Sequence, residues 1–65
     1  MHWNRGPQFF IGHNQDGVAT RVVVRMPATT AYRAFDITSP GWLQIGDEYA
    51  LIDEAKEAAE QYGAR

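Results

Sequence analysis

The chain has 65 residues, no Cys, a hydrophobic content of 45%, a charged content of 22% and a formal charge of −2. That length accommodates one domain, which hides only ~60% of the surface its unfolded chain exposes. Disulfide and thiolate–metal staples are excluded, the composition is that of a folded domain rather than a disordered tail, and no apolar run reaches the ~20 residues of a membrane span.

Met1 to Pro7 lack periodicity and contain Gly6-Pro7, so they read as an N-terminal arm leading into the single domain. Gln8-Phe9-Phe10-Ile11-Gly12-His13 is short, aromatic and β-branched, as a strand requires. A cluster of turn residues, Asn14-Gln15-Asp16-Gly17, separates it from Val18 to Met26, the strongest strand in the sequence. Alternation places Val22, Val24 and Met26 on one face of that strand and Arg21, Val23 and Arg25 on the other. The two segments are expected to pair as an antiparallel hairpin.

Pro27 has no amide hydrogen to donate and closes the strand. Ala31 to Ile37 forms a third strand with Arg33, Phe35 and Ile37 on one face, and Ser39-Pro40-Gly41 has the chemistry of a type II turn. Trp42 to Ile45 returns as a fourth strand, and Gly46-Asp47 can turn it into a short continuation at Glu48-Tyr49-Ala50. From Leu51 the period changes from 2 to 3.6. Leu51, Ala55, Ala58 and Tyr62 then form an apolar stripe widened by Ile52 and Ala59. Asp53 and Glu54 suit the start of a helix, Gly63 suits its end, and no Ser or Thr marks an N-cap. The expected fold is α+β: an antiparallel meander of three to five strands covered on one face by one C-terminal amphipathic helix. Trp42, Phe35, Tyr49, Val22 and Val24 are the expected partners of that helix.

Little in the chain supports catalysis. One Ser in a turn, one Lys, no Cys and two His offer no nucleophile beside an oriented base, and the six Gly are scattered rather than gathered into a phosphate loop. His2, His13 and Asp16 lack metal-ligand spacing, so no metal or cofactor is expected.

The distribution of charge carries more information. Residues 1–35 hold Arg5, Arg21, Arg25 and Arg33 against Asp16 alone. Residues 36–65 hold Asp36, Asp47, Glu48, Asp53, Glu54, Glu57 and Glu60 against Lys56 and Arg65. Asymmetry of this kind points to a charged partner. Arg21, Arg25 and Arg33 could line one sheet face as a basic ladder for nucleic acid. Arg21 and Arg25 also bracket Val22-Val23-Val24, where charges deter edge-to-edge aggregation. The acidic stretch Asp47, Glu48, Asp53, Glu54, Glu57 and Glu60 offers the opposite function. Carboxylates a helical turn apart imitate a track of phosphates and draw a basic groove electrostatically. Ordinary Lys56–Glu60 pairing on a solvated helix is the plainer account of the same residues. Trp3, Trp42, Phe9 and Phe10 cannot all be inside so small a core, and strand alternation would put one of Phe9 and Phe10 on the uncovered side. That could mark a dimer or partner patch, and partial exposure is the simpler account.

The segment from Trp42 to Glu60, a Trp-bearing strand followed by a helix of the Glu-Ala-x-x-Ala-Ala kind, resembles small proteins of phages and other mobile elements. Two families share the shape. The chain resembles the anti-CRISPR class in being a small, Cys-free, acidic domain without an enzymatic motif. That resemblance implies stoichiometric binding to a host protein complex, such as a CRISPR effector complex, in the bacterial cytoplasm and without a membrane. It is also similar to the arm-binding domain of tyrosine recombinases, a sheet with a C-terminal helix. That likeness implies DNA contact through Arg21, Arg25 and Arg33, and the acidic helix departs from its pattern. The expectation drawn from both is a non-enzymatic binding protein, monomer or homodimer. It would act through Asp47, Glu48, Asp53, Glu54, Glu57 and Glu60, with nucleic-acid binding as the alternative.

Overall fold

The computed structural model describes residues 1–37 and 41–62. Five strands, β1 (His2–Arg5), β2 (Phe9–His13), β3 (Ala19–Arg25), β4 (Tyr32–Ile37) and β5 (Trp42–Tyr49), precede one helix, α1 (Ile52–Gln61). Every strand pairs antiparallel with its neighbour in sequence, so the sheet order is β1-β2-β3-β4-β5. The α+β meander with a C-terminal helix is therefore the fold of this chain.

The hairpin of β2 and β3 is closed by Asn14. Its side-chain Oδ1 accepts from the amides of Asp16 (2.9 Å) and Val18 (3.0 Å), and its own amide donates to the Val18 carbonyl (2.9 Å). An Asx side chain thus supplies acceptors that a tight turn would otherwise lack. Ser39 and Pro40 of the expected type II turn, and the expected helix stop at Gly63, lie outside the described residues.

The expected arm is instead a strand. His2–Arg5 adds to the edge of β2 with Trp3 opposite Gly12. A Cβ at Gly12 would stand 3.1 Å from the Trp3 ring and 2.5 Å from the Met1 sulfur, so the missing side chain is what lets the indole lie across β2. The turn that Gly46-Asp47 could supply after Ile45 is a bulge within one strand. β5 runs on through it to Tyr49, and Ala34 faces Ile45 while Arg33 faces Glu48. Gly46 sits there at φ 67°, the left-handed region that disfavours side chains, and a Cβ would strike the Tyr49 hydroxyl.

The helix lies over β3, β4 and β5. Its buried Ala55 and Ala59 meet Val23, Ala34 and Ile45, with Trp3, Phe10, Tyr32, Tyr49, Ile52 and Ala58 packed around them. Two alanines on the contact stripe let the helix approach closely enough to leave Val23 with no exposed surface. This corrects the expected set of helix partners. Tyr49 does pack there, but by the register Val22, Val24, Phe35 and Trp42 lie on the opposite face of the sheet. Val23 and Arg21 look toward the helix instead. Three consecutive valines satisfy an apolar requirement in either orientation, and the arginine decided the matter.

That decision is visible at the helix C-terminus, whose last turn contains no basic residue of its own. Arg21 reaches over from β3 and donates through Nε to the Ala59 carbonyl (3.0 Å) and through Nη2 to the Tyr62 carbonyl (2.9 Å). Its Nη1 pairs with Asp36 on β4 at 2.5 Å, and its guanidinium lies 5.4 Å from the Tyr62 ring centroid. A cation here satisfies carbonyls that have no intrahelical partner and complements the negative end of the helix dipole. At the other end Leu51 is the N-cap, and the Glu54 carboxylate accepts its amide (3.2 Å), giving half of a capping box.

Candidate binding surfaces

The outward side of α1 is formed by Asp53, Glu54, Glu57, Glu60 and Gln61, all exposed. Lys56, the only cation on the helix, does not pair with Glu60. Its ammonium sits 4.7 Å from the Phe10 ring centroid and 5.8 Å from that of Trp3, on the sheet side. This is cation–π geometry. Glu60 accepts the Trp3 indole N–H instead (2.7 Å). Among the described residues, no carboxylate of the helix is in an ion pair, because the two ion pairs are Arg21–Asp36 and Arg33–Glu48. Glu57 accepts from the Gln61 side chain (3.2 Å), and Asp53 makes no side-chain hydrogen bond among the described residues. The outer face of the helix therefore presents Asp53, Glu54 and Glu57 without an ion-pair partner among the described residues, with Glu60 beside them turned to the Trp3 indole.

The six acidic residues singled out from the sequence do not share one surface. Asp53, Glu54, Glu57 and Glu60 lie together along the helix. Asp47 belongs to the β5 bulge, and Glu48 points to the other side of the sheet, where it takes Arg33 Nε and Nη2 at 3.1 and 2.8 Å.

The three arginines are likewise divided. Arg21 is turned toward the helix and committed to its carbonyls, with only 16% of its side chain exposed. Arg33 lies on the opposite face in its pair with Glu48. Arg25, exposed at the end of β3, makes no side-chain hydrogen bond or ion pair among the described residues. Arg21, Arg25 and Arg33 thus do not stand as one ladder on one face.

The third surface is the face of the sheet turned away from the helix. It carries Phe9, Ile11, Val22, Val24, Ile37 and Trp42 around a groove of about 430 Å³. Trp42 is 58% exposed and leans on Phe35 with ring centroids 5.7 Å apart. Phe9 is 37% exposed, whereas Phe10 packs beneath the helix, as adjacent strand residues must divide. Trp42 and Phe35, expected on the covered side, therefore stand on the open one.

At the far edge of the same face, His2 and His13 are register partners, and the Asn4 amide lies 3.3 Å from His13 Nδ1. Among the described residues no group of three or more His, Cys, Asp or Glu side chains gathers as a metal site, and no helix is long and apolar enough to cross a membrane. No family model, curated protein or solved structure matches the chain.

Proposed function

We propose that this chain is a non-enzymatic binding protein whose acidic helix engages a positively charged surface of a protein complex. The observation that carries this reading is the inward turn of Lys56. With that cation held over the Trp3 and Phe10 rings, Asp53, Glu54 and Glu57 face solvent without an ion-pair partner among the described residues, and Glu60 flanks them in its hydrogen bond to Trp3. A fixed row of like charge raises the encounter rate with a basic groove and selects against acidic partners.

In its narrower form, the proposal is a stoichiometric inhibitor of a host nucleoprotein defence complex, of the anti-CRISPR type, working in the bacterial cytoplasm. A basic groove that normally receives nucleic acid is the chemistry such a helix would occupy. The alternative, DNA binding through Arg21, Arg25 and Arg33, finds less support. Two of these cations are already paired within the fold and sit on opposite faces, and affinity for nucleic acid depends on the number of phosphates neutralised.

The test is target-DNA binding by purified CRISPR effector complexes in the presence of the protein. The expected outcome is inhibition at equimolar protein, lost in Asp53→Lys/Glu57→Lys and retained in Arg25→Glu. Neither Asp53 nor Glu57 is in the core or in an ion pair among the described residues. Because Asp53 lies in the first turn of α1, where a lysine opposes the helix dipole, far-UV circular dichroism checks that the double variant stays folded. Inhibition that survives the double charge reversal would overturn the acidic-helix reading. Retardation of free DNA, abolished by Arg25→Glu, would transfer the function to the arginines.

A further inference from the structure

The sheet face opposite the helix is an apolar surface that the described residues leave uncovered. We propose that a second copy of this chain covers it. The product is a face-to-face dimer in which the two sheets are the inner layers and the two helices the outer ones.

Three observations select this occupant. The first is area. Five strands averaging about six residues, ~4.8 Å apart with a rise of ~3.3 Å per residue, span roughly 24 by 20 Å, or about 480 Å² in projection. Two copies bring together about 960 Å², and side chains standing off the plane raise the accessible area above the ~1,000 Å² that a specific interface requires.

The second is charge. The ladder-paired positions of this face carry one cation and one anion, Arg33 and Glu48, 2.8 Å apart and both more than a third exposed. Because the pair is neutralised within each copy, two such faces meet without like-charge repulsion, as an isologous interface requires. The helix side cannot associate in this way, because its carboxylates would meet their own kind.

The third is shape. Trp42 stands at the rim of the groove, mostly in water, and the groove floor of Val22, Val24 and Ile11 is free to receive an aromatic knob. A two-fold operation uses each Trp42 twice, as wall of its own groove and as filler of its neighbour's. Buried aromatics of this kind dominate interface energetics.

The dimer is independent of what the helix binds, and the two proposals fail separately. Asp53→Lys/Glu57→Lys is expected to remain dimeric, and monomeric variants are expected to keep the helix surface intact. The experiment is sedimentation velocity over micromolar to millimolar concentration, with far-UV circular dichroism as a check on folding. The wild-type chain is expected to reach twice its 7.3 kDa mass. Trp42→Glu is expected to weaken association by at least tenfold. Should Glu at this position cost folding, Trp42→Gln supplies the same readout without a charge.

A wild-type chain that stays at single-chain mass throughout overturns the proposal. So does a dimer indifferent to Trp42→Glu but lost in Asn4→Pro, which would indicate pairing through the β1 edge. Single-chain mass with an apolar small molecule retained in native mass spectrometry would assign the groove to that molecule instead.

Discussion

Arg21 offers the sharpest test of how this fold is held together. Replacing it with Met keeps most of the aliphatic stem and removes the guanidinium. Lost with it are donations to the carbonyls of Ala59, Tyr62 and Thr20 and the pair with Asp36. Hydrogen bonds to charged groups contribute ~1.5–3 kcal/mol each when measured singly, and a shared donor makes them far from additive. Water reaches part of the site, since the Arg21 and Asp36 side chains are 16% and 20% exposed, which lowers the penalty of leaving Asp36 alone. A net loss of about 3 kcal/mol follows from these terms. A domain of this length is held by ~3–10 kcal/mol in total, so the variant sits at the edge of folding.

Urea denaturation followed by tryptophan fluorescence reads the loss directly, and the melting temperature should fall by roughly 12–24 °C. Arg25→Met, at an exposed position, is the control and should shift stability by less than ~0.5 kcal/mol. Arg21→Met/Asp36→Asn should recover part of the loss by removing the stranded carboxylate. If Arg21→Met unfolds within ~0.5 kcal/mol of the wild type, the guanidinium does not cap the helix in any energetic sense and the reasoning fails.

Two backbone positions give predictions of opposite sign. Gly46→Ala forces a side chain into the left-handed region and against the Tyr49 hydroxyl, which donates to the Ile45 carbonyl (3.1 Å). It should cost about 2 kcal/mol in thermal or chemical unfolding, and an unchanged melting curve would refute the strained bulge. Thr30, a β-branched residue at φ 58°, pays for that conformation already. Thr30→Asn should raise stability by ~0.5–1 kcal/mol, and a decrease would mean that the Thr30 hydroxyl is worth more than its backbone strain.

The elements with a clear period were legible in the sequence. The paired strands Phe9–His13 and Ala19–Arg25, the Asn14 turn between them and the helix all stand where the 2-fold and 3.6-fold patterns put them. The edge strand was not legible, because His2-Trp3-Asn4-Arg5 has a single apolar residue and its reason for pairing lies 57 residues away in Glu60. The facing of β3 was misread for a related reason. Charged residues ordinarily turn from a helix that covers a sheet, and Arg21 turns toward it because the helix end supplies acceptors that only the folded chain brings near. On the helix, the carboxylate stripe was evident from spacing alone. That Lys56 would leave it for two aromatic rings depends on β1 and β2 arriving beside the helix, and no local pattern encodes that.

The contact between Trp3 and Glu60 also bears on how copies of this chain are kept from stacking edge to edge. In a meander the outermost strand is bonded on one side only, so β1 can peel away while the remaining four strands keep their ladder. What it would uncover is the bare edge of Phe9-Phe10-Ile11-Gly12-His13, a stretch of high β-propensity with no formal charge and no proline, which is the kind of template on which chains stack into fibrils. The indole pinned under the helix, by Glu60 at its nitrogen and Lys56 over its ring, works as a latch on that edge.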